Sequence, residues 1–234
     1  MLPLSTYVPP YPPYWLLYLL GAYTYIVCYI AIMFYDVLLC TIVLTVVVQW
    51  KMLNREVKAI LGSTAEKQDE RHLLNNDVTK CVNYHNFLIN YVKRVNQTFW
   101  YPNIFMMLSC FTAYCAEIFV IVNRATEGDF LERLTYLIEA AYEFFLFYII
   151  PGQLLTNEAE KMEDFVYSSN WYEHSVDIKK PFINMVTCIS RRPVTLNAGN
   201  LLDFNFRSAH EICRMVFSYY MFLNTMNERT LTRT

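Results

Sequence analysis

From Tyr14 to Trp50 the chain runs 37 residues with a single charge, Asp36. As a helix this stretch would be about 55 Å long, well beyond a hydrocarbon core of ~30 Å. The polar stretch that follows, Lys51 to Arg71, contains no proline. The pattern therefore predicts a spanning helix that projects past the bilayer at one end. Two further segments are close to the ~20 residues a crossing needs. Phe99 to Val122 is apolar except for Glu117, and Leu134 to Leu155 is apolar except for Glu139 and Glu143. A fourth, Phe206 to Met226, carries Arg207, His210, Glu211 and Arg214 in its first half and turns apolar from Met215 to Leu223. A lipid-facing helix does not place charges in this way, so one side of this segment must face protein or water.

Between the spans the periodicity stays helical. Leu73, Val78, Cys81, Val82, His85, Leu88, Ile89 and Val92 recur at helical spacing through an otherwise polar stretch, which predicts an amphipathic continuation leading into the second span. Glu158 to Tyr172 is polar with apolar positions at Met162, Phe165, Val166 and Tyr172, and Pro181 to Ile189 is flanked by Lys179, Lys180, Arg191 and Arg192. These stripes can form a small bundle outside the membrane, with Trp171, Phe182 and Met185 feeding its core and His85 packed within it. Pro193 blocks helix continuation, and the segment from Val194 to Gly199 reads as a turn before the last span.

Positive residues fix the orientation. The segment 51–97 holds eight (Lys51, Arg55, Lys58, Lys67, Arg71, Lys80, Lys93, Arg94), the link 124–133 two (Arg124, Arg133) and the segment 156–207 six. The first and third links are thus cytoplasmic, and both Met1 and Thr234 fall outside. The sequon Asn96-Gln97-Thr98 is then cytoplasmic and expected to carry no sugar. Met1 to Pro13 has no basic residue, so it is not a secretory signal and the first helix is retained. A membrane chain that starts outside without a signal suggests that earlier spans are missing.

Composition adds little beyond class. The chain is 55% hydrophobic and 17% aromatic with a formal charge of -2, which argues against nucleic acid as a partner. Seven scattered cysteines without a CxxC read as small buried hydrophobes. The four histidines show no metal-ligand spacing, the five glycines form no phosphate loop, and there is no GxSxG, so neither metal, cofactor nor enzymatic activity is expected. Asp36 lies inside an apolar helix, where exposure to lipid would cost at least ~2.5 kcal/mol. It serves either a helix-packing hydrogen bond or an ion site. Glu139 and Glu143, four apart, mark a solvated vestibule or a helix contact rather than acid–base chemistry, because no histidine or lysine accompanies them. His210, Glu211 and Arg214 either pair locally or line a polar mouth.

The carboxyl half is more specific. Gly152-Gln153-Leu154, then Glu158 and Glu160, Tyr167-Ser168-Ser169-Asn170-Trp171-Tyr172, Arg192-Pro193, Leu196-Asn197-Ala198-Gly199, and Ser218-Tyr219-Tyr220-Met221-Phe222-Leu223 follow one another in an order and spacing that resembles the insect odorant receptor family. Cys81-x3-His85 and the Leu2-Pro3-Leu4 start are similar to it less specifically. The resemblance implies an all-α membrane protein whose four spans correspond to the last four of a seven-helix receptor, with the first three absent and a cytoplasmic helical anchor.

The same resemblance implies an extracellular segment 1–13, spans over 14–155, anchor helices over 156–199, a pore-lining last span over 200–226 and an extracellular tail 227–234. It further implies assembly with an odorant co-receptor subunit into a tetrameric, odorant-gated, nonselective cation channel in the plasma membrane of sensory neurons. The pore and gate would fall at Phe222, Thr225 and Met226, with Phe222 bulkier than the aliphatics usual in the co-receptor. The small volatile ligand would meet Tyr18, Ala22, Tyr25, Ile138 and Tyr142, and the anchor would use His85, Trp171, Phe182 and Met185. Two other readings stay open: a non-sensing assembly partner or pseudogene-like product, and a gustatory receptor of the same superfamily. The Tyr219-Tyr220-x-Phe222-Leu223 ending disfavours the second.

Overall fold

The computed structural model describes residues 14–61, 68–123, 127–168, 180–181, 183–184, 187, 194–199 and 201–231. Trp171, Phe182 and Met185, expected in the anchor, lie outside the described residues, as do the 1–13 segment and the end of the tail. The chain divides into two compact units, Met1–Ile42 and Val43–Thr234.

The all-α reading holds. Helix α1 runs Tyr14–Leu61 and α2 Gln68–Asn123. Helix α3, Glu127–Phe144, passes through a π-helical turn at Phe145–Ile149 into α4, Ile150–Ser168. A two-residue antiparallel ladder pairs β1 (Asn197–Ala198) with β2 (Leu202–Asp203), and α5 is Phe206–Leu231. Tyr14–Ile60, Asn76–Ile121 and Phe130–Tyr167 are long and apolar enough to cross a membrane. Helix α5 completes the set of four as an amphipathic helix, consistent with the charges in its first half.

In the first unit, the amino-terminal part of α1 is exposed on every face: Tyr18 is 44%, Leu19 56%, Tyr23 67% and Tyr25 65% exposed. Such an all-round apolar helix suits lipid or further protein. Asp36 is fully buried, so its carboxyl is not presented to lipid.

The second unit has a core, and its spacing explains it. Along α1, Val43, Val46, Trp50, Leu53 and Val57 are buried, and along α2, Val78, Cys81, His85, Leu88, Val92 and Val95 are buried. Both rows alternate steps of three and four, the seam of a coiled coil. They run antiparallel: Trp50 meets the His85 ring edge-on at 5.4 Å, Tyr84 donates a hydrogen bond to Gln49, and the Cys81 thiol lies 3.9 Å from Glu56 Oε2. The sequence shows the α2 stripe plainly. The α1 row is hidden because its flanks are equally apolar. Helix α4 joins the pair, with Asn54 donating to the Glu158 carbonyl at 2.8 Å and Lys58 lying over the Phe165 ring.

The third span continues without interruption through the polar stretch at Glu158 and on to Ser168. Pro151 offers no N–H, and just before it Ile150 N–H reaches back to the Phe145 carbonyl, widening the turn instead of ending the helix. Pro102 likewise sits inside α2 without ending it.

Candidate functional site

Helix α5 is held at its start by a polar joint. Asn205 caps it, its carbonyl accepting from Ala209 N–H at 3.0 Å and its Oδ1 from Ser208 N–H at 2.8 Å. Gln153 Oε1 on α4 accepts from Phe206 N–H at 3.0 Å. On α2, Asn96 grips the ladder from both sides of its amide: Nδ2 donates to the Thr195 carbonyl at 2.8 Å and Oδ1 accepts from Asn197 N–H at 3.2 Å. Asn103 adds a longer bond to the Asn197 carbonyl, and Thr195 donates to Asp203.

Two glycines make the joint close. A Cβ on Gly152 would stand 2.1 Å from the Phe204 carbonyl oxygen, so only glycine admits that backbone. Gly199 has φ +60, and a Cβ there would meet Ile104 at 2.3 Å. Phe204 is buried against Tyr148 at 5.3 Å and Phe144 at 6.4 Å between ring centroids.

Above the joint, α5 has two unlike faces. One carries the buried Ala209, Ile212 and Val216 and borders an apolar cavity of about 310 Å³ shared with Tyr114 and Ile118 of α2 and Leu137 and Ala141 of α3. The Tyr114 hydroxyl is buried without a hydrogen-bond partner among the described residues. Arg133 Nη1 and Glu117 Oε2, 3.2 Å apart, tie α3 to α2. The opposite face of α5, read at helical spacing, presents Arg207, Glu211, Arg214, Ser218, Phe222 and Thr225, all exposed. Arg207 and Glu211 pair at 3.6 Å on the surface.

The residues singled out from sequence fall as follows. Phe222, Thr225 and Met226 share the exposed face of α5, Phe222 being 59% and Met226 49% exposed, and Thr225 back-bonds to the Met221 carbonyl. Tyr18, Ala22 and Tyr25 share one face of α1, and Ile138 and Tyr142 one face of α3. Ile138 and Tyr142 are 60% and 64% exposed and stand beside the cavity's Leu137 and Ala141 rather than in its wall. Sequence reasoning missed the cavity residues, since Tyr114 or Ile212 carries no signal apart from its neighbours.

His85 is fully buried at the α1–α2 seam, and neither ring nitrogen has a hydrogen-bond partner among the described residues. Burial pushes its imidazole down to about 4. Burial, reinforced by the carboxylate of Glu56, pushes the Cys81 thiol up to about 11. Among the described residues no group of histidines, cysteines and carboxylates could hold a metal.

The pattern of the 7tm Odorant receptor family matches residues 1–217. The chain belongs to that family. It is 21% identical to the odorant receptor Or2 of Anopheles gambiae over 162 residues, 69% of this chain and 42% of that protein. Its fold is similar to that of the insect olfactory receptor OR5 from Machilis hrabei in complex with eugenol, with a TM-score of 0.74 at 15% identity over 97% of this chain and 56% of that one. The same receptor without that ligand matches with a TM-score of 0.71 over 91% of this chain and 55% of that one. The chain thus spans about half the length of the relatives it matches.

Proposed function

We propose that this chain acts as an odorant receptor subunit, not an enzyme, that responds to a small volatile and contributes to a nonselective cation channel. In this reading it lies in the plasma membrane of sensory neurons and assembles with an odorant co-receptor subunit as a hetero-tetramer. The observation that carries the reading is the exposed face of α5. A membrane helix that presents Arg207, Glu211 and Arg214 away from its own core needs water or protein charge against that face. A water-filled conduit supplies both. Further along the same face, Phe222, Thr225 and Met226 line the conduit of the assembled channel, and the apolar ring of Phe222 and Met226 closes it by dewetting.

Tyr18, Ala22, Tyr25, Ile138 and Tyr142 supply aromatic and aliphatic surface for the volatile, completed by neighbouring protein. The α1–α2 seam around His85, with Trp171, Phe182 and Met185, forms the anchor through which subunits hold together. A ligand shifts the conduit only through its differential affinity for the open and closed arrangements.

The test is whole-cell recording from cells co-expressing this chain with an odorant co-receptor, challenged with volatiles that include eugenol, the compound in the Machilis hrabei complex. An odorant-evoked cation current that changes when a Phe222→Cys variant meets a thiol reagent supports the reading. Suppression of the co-receptor's current without any odorant response would instead make the chain a non-sensing assembly partner. An evoked current indifferent to modification at position 222 would remove α5 from the pore.

A further inference from the structure

The exposed face of α5 carries its charges unevenly. Arg207 and Glu211 pair at 3.6 Å and cancel. Arg214, exposed further along the same face, has no ion pair among the described residues. From Met215 to Met226 the sequence holds no charge at all. Arg214 is therefore the last fixed charge before Phe222, which follows about 12 Å further along the helix, with the exposed hydroxyl of Ser218 between them. A guanidinium does not titrate away, and its long stem carries the charge out into water. Beside a conduit, a fixed positive charge raises the energy of a passing cation in proportion to the ion's valence, so a divalent ion is penalised twice as much as a monovalent one.

We propose that Arg214 sets the valence preference of the conduit, favouring monovalent over divalent cations. The inference rests on the reading of α5 as a conduit-lining helix and adds to it the class of ion that passes. At about 5 Å from the ion, one such charge lowers the divalent-to-monovalent permeability ratio about two- to fourfold, the smaller figure with salt screening included. Phe222 and Met226 carry no charge, so they decide whether ions pass and Arg214 decides which. Arg207 and Glu211, as a balanced pair, add little to that choice.

The test uses the full chain co-expressed with an odorant co-receptor and the same volatiles, eugenol included, with reversal potentials of the evoked current measured in calcium outside against sodium inside. Arg214→Gln should raise the calcium-to-sodium permeability ratio about two- to fourfold, and Arg214→Glu, which reverses the charge, about four- to sixteenfold. Arg214→Lys keeps the charge and should keep the ratio, as should Arg55→Gln, at an exposed position on α1. Arg214→Glu carries the same test if Arg214→Gln does not reach the membrane. The two ways to fail look different. Silence of the unsubstituted chain towards every volatile overturns the conduit reading and this inference with it. An evoked current whose ratio is the same in Arg214→Gln and Arg214→Glu as in the unsubstituted chain, or which shifts as far in Arg214→Lys or Arg55→Gln, overturns the role of Arg214 alone.

Discussion

Helix α2 is two helices in physical terms. Residues 76–98 are largely polar, yet Val78, Cys81, His85, Leu88, Val92 and Val95 are all buried. Residues 99–121 are almost wholly apolar, yet only Asn103 and Cys115 are buried, while Tyr101, Phe105 and Leu108 stand 69%, 72% and 60% exposed. In water, an apolar stripe is driven against a partner by the hydrophobic effect, and its three-four spacing selects the face. In lipid that drive disappears, and helices associate through close packing and polar contacts. Hydrophobic density therefore marks which solvent a segment meets, and only periodicity marks which residues it buries.

The sharpest way to break this comparison is to cut one large side chain from each half of the molecule. Trp50, fully buried at the seam, should cost about 3–5 kcal/mol when replaced by alanine. Phe105→Ala, at an exposed position, should stay within about 0.5 kcal/mol. Denaturant unfolding of both variants in nanodiscs, followed by far-ultraviolet circular dichroism, reads the difference. Equal losses would mean that the apolar half is packed as tightly as the polar half.

The joint between the halves offers a medium effect. Asn96→Ala removes a donor and an acceptor from the ladder at once, taking a partner from the Thr195 carbonyl and from the Asn197 N–H. A loss of about 2–3 kcal/mol is expected, against about 1 for Asn103→Ala, whose bond to the Asn197 carbonyl is longer. Hydrogen exchange at the Asn197 amide should accelerate in the first variant far more than in the second. If the sequon Asn96-Gln97-Thr98 is cytoplasmic, as the positive residues predict, the chain should also migrate without a glycan shift on a gel when it is made in secretory cells.

These particulars show what the residues disclosed in advance. The α2 stripe was legible because polar residues frame it. The α1 row was not, because Val46 and Val48 look alike in sequence although one is 4% and the other 53% exposed. The motifs that carry the family resemblance acquire physical reasons at the joint. Gly152 is needed for the approach of the Phe204 backbone, Gln153 caps α5, and Leu196 to Gly199 form the ladder and its turn. The turn was legible in Gly199, but its pairing with Asn96 was not, since nothing local records a contact across 101 residues. The cavity was equally hidden, because it exists only once three helices from distant parts of the chain meet.

The smallest expected effect sharpens the comparison through pH. His85 is buried neutral with its pKa lowered to about 4, whereas the unfolded chain returns it to ~6.5. Between these values the unfolded state binds the extra proton, so stability rises with pH and is lost as pH falls from about 6.5 towards 4. Above 6.5 the group contributes no slope. The loss is at most about 1.4 kcal/mol per pH unit, so unfolding at pH 5.5 should fall about 1 kcal/mol below that at pH 7.5. His85→Phe keeps an aromatic ring against Trp50 and removes both unpartnered nitrogens, so that increment should vanish and stability at pH 7.5 should hold or rise. If His85→Phe retains the full pH dependence, the acid sensitivity lies elsewhere. The buried imidazole would then have no part in setting the polar half of α2 apart from the apolar half.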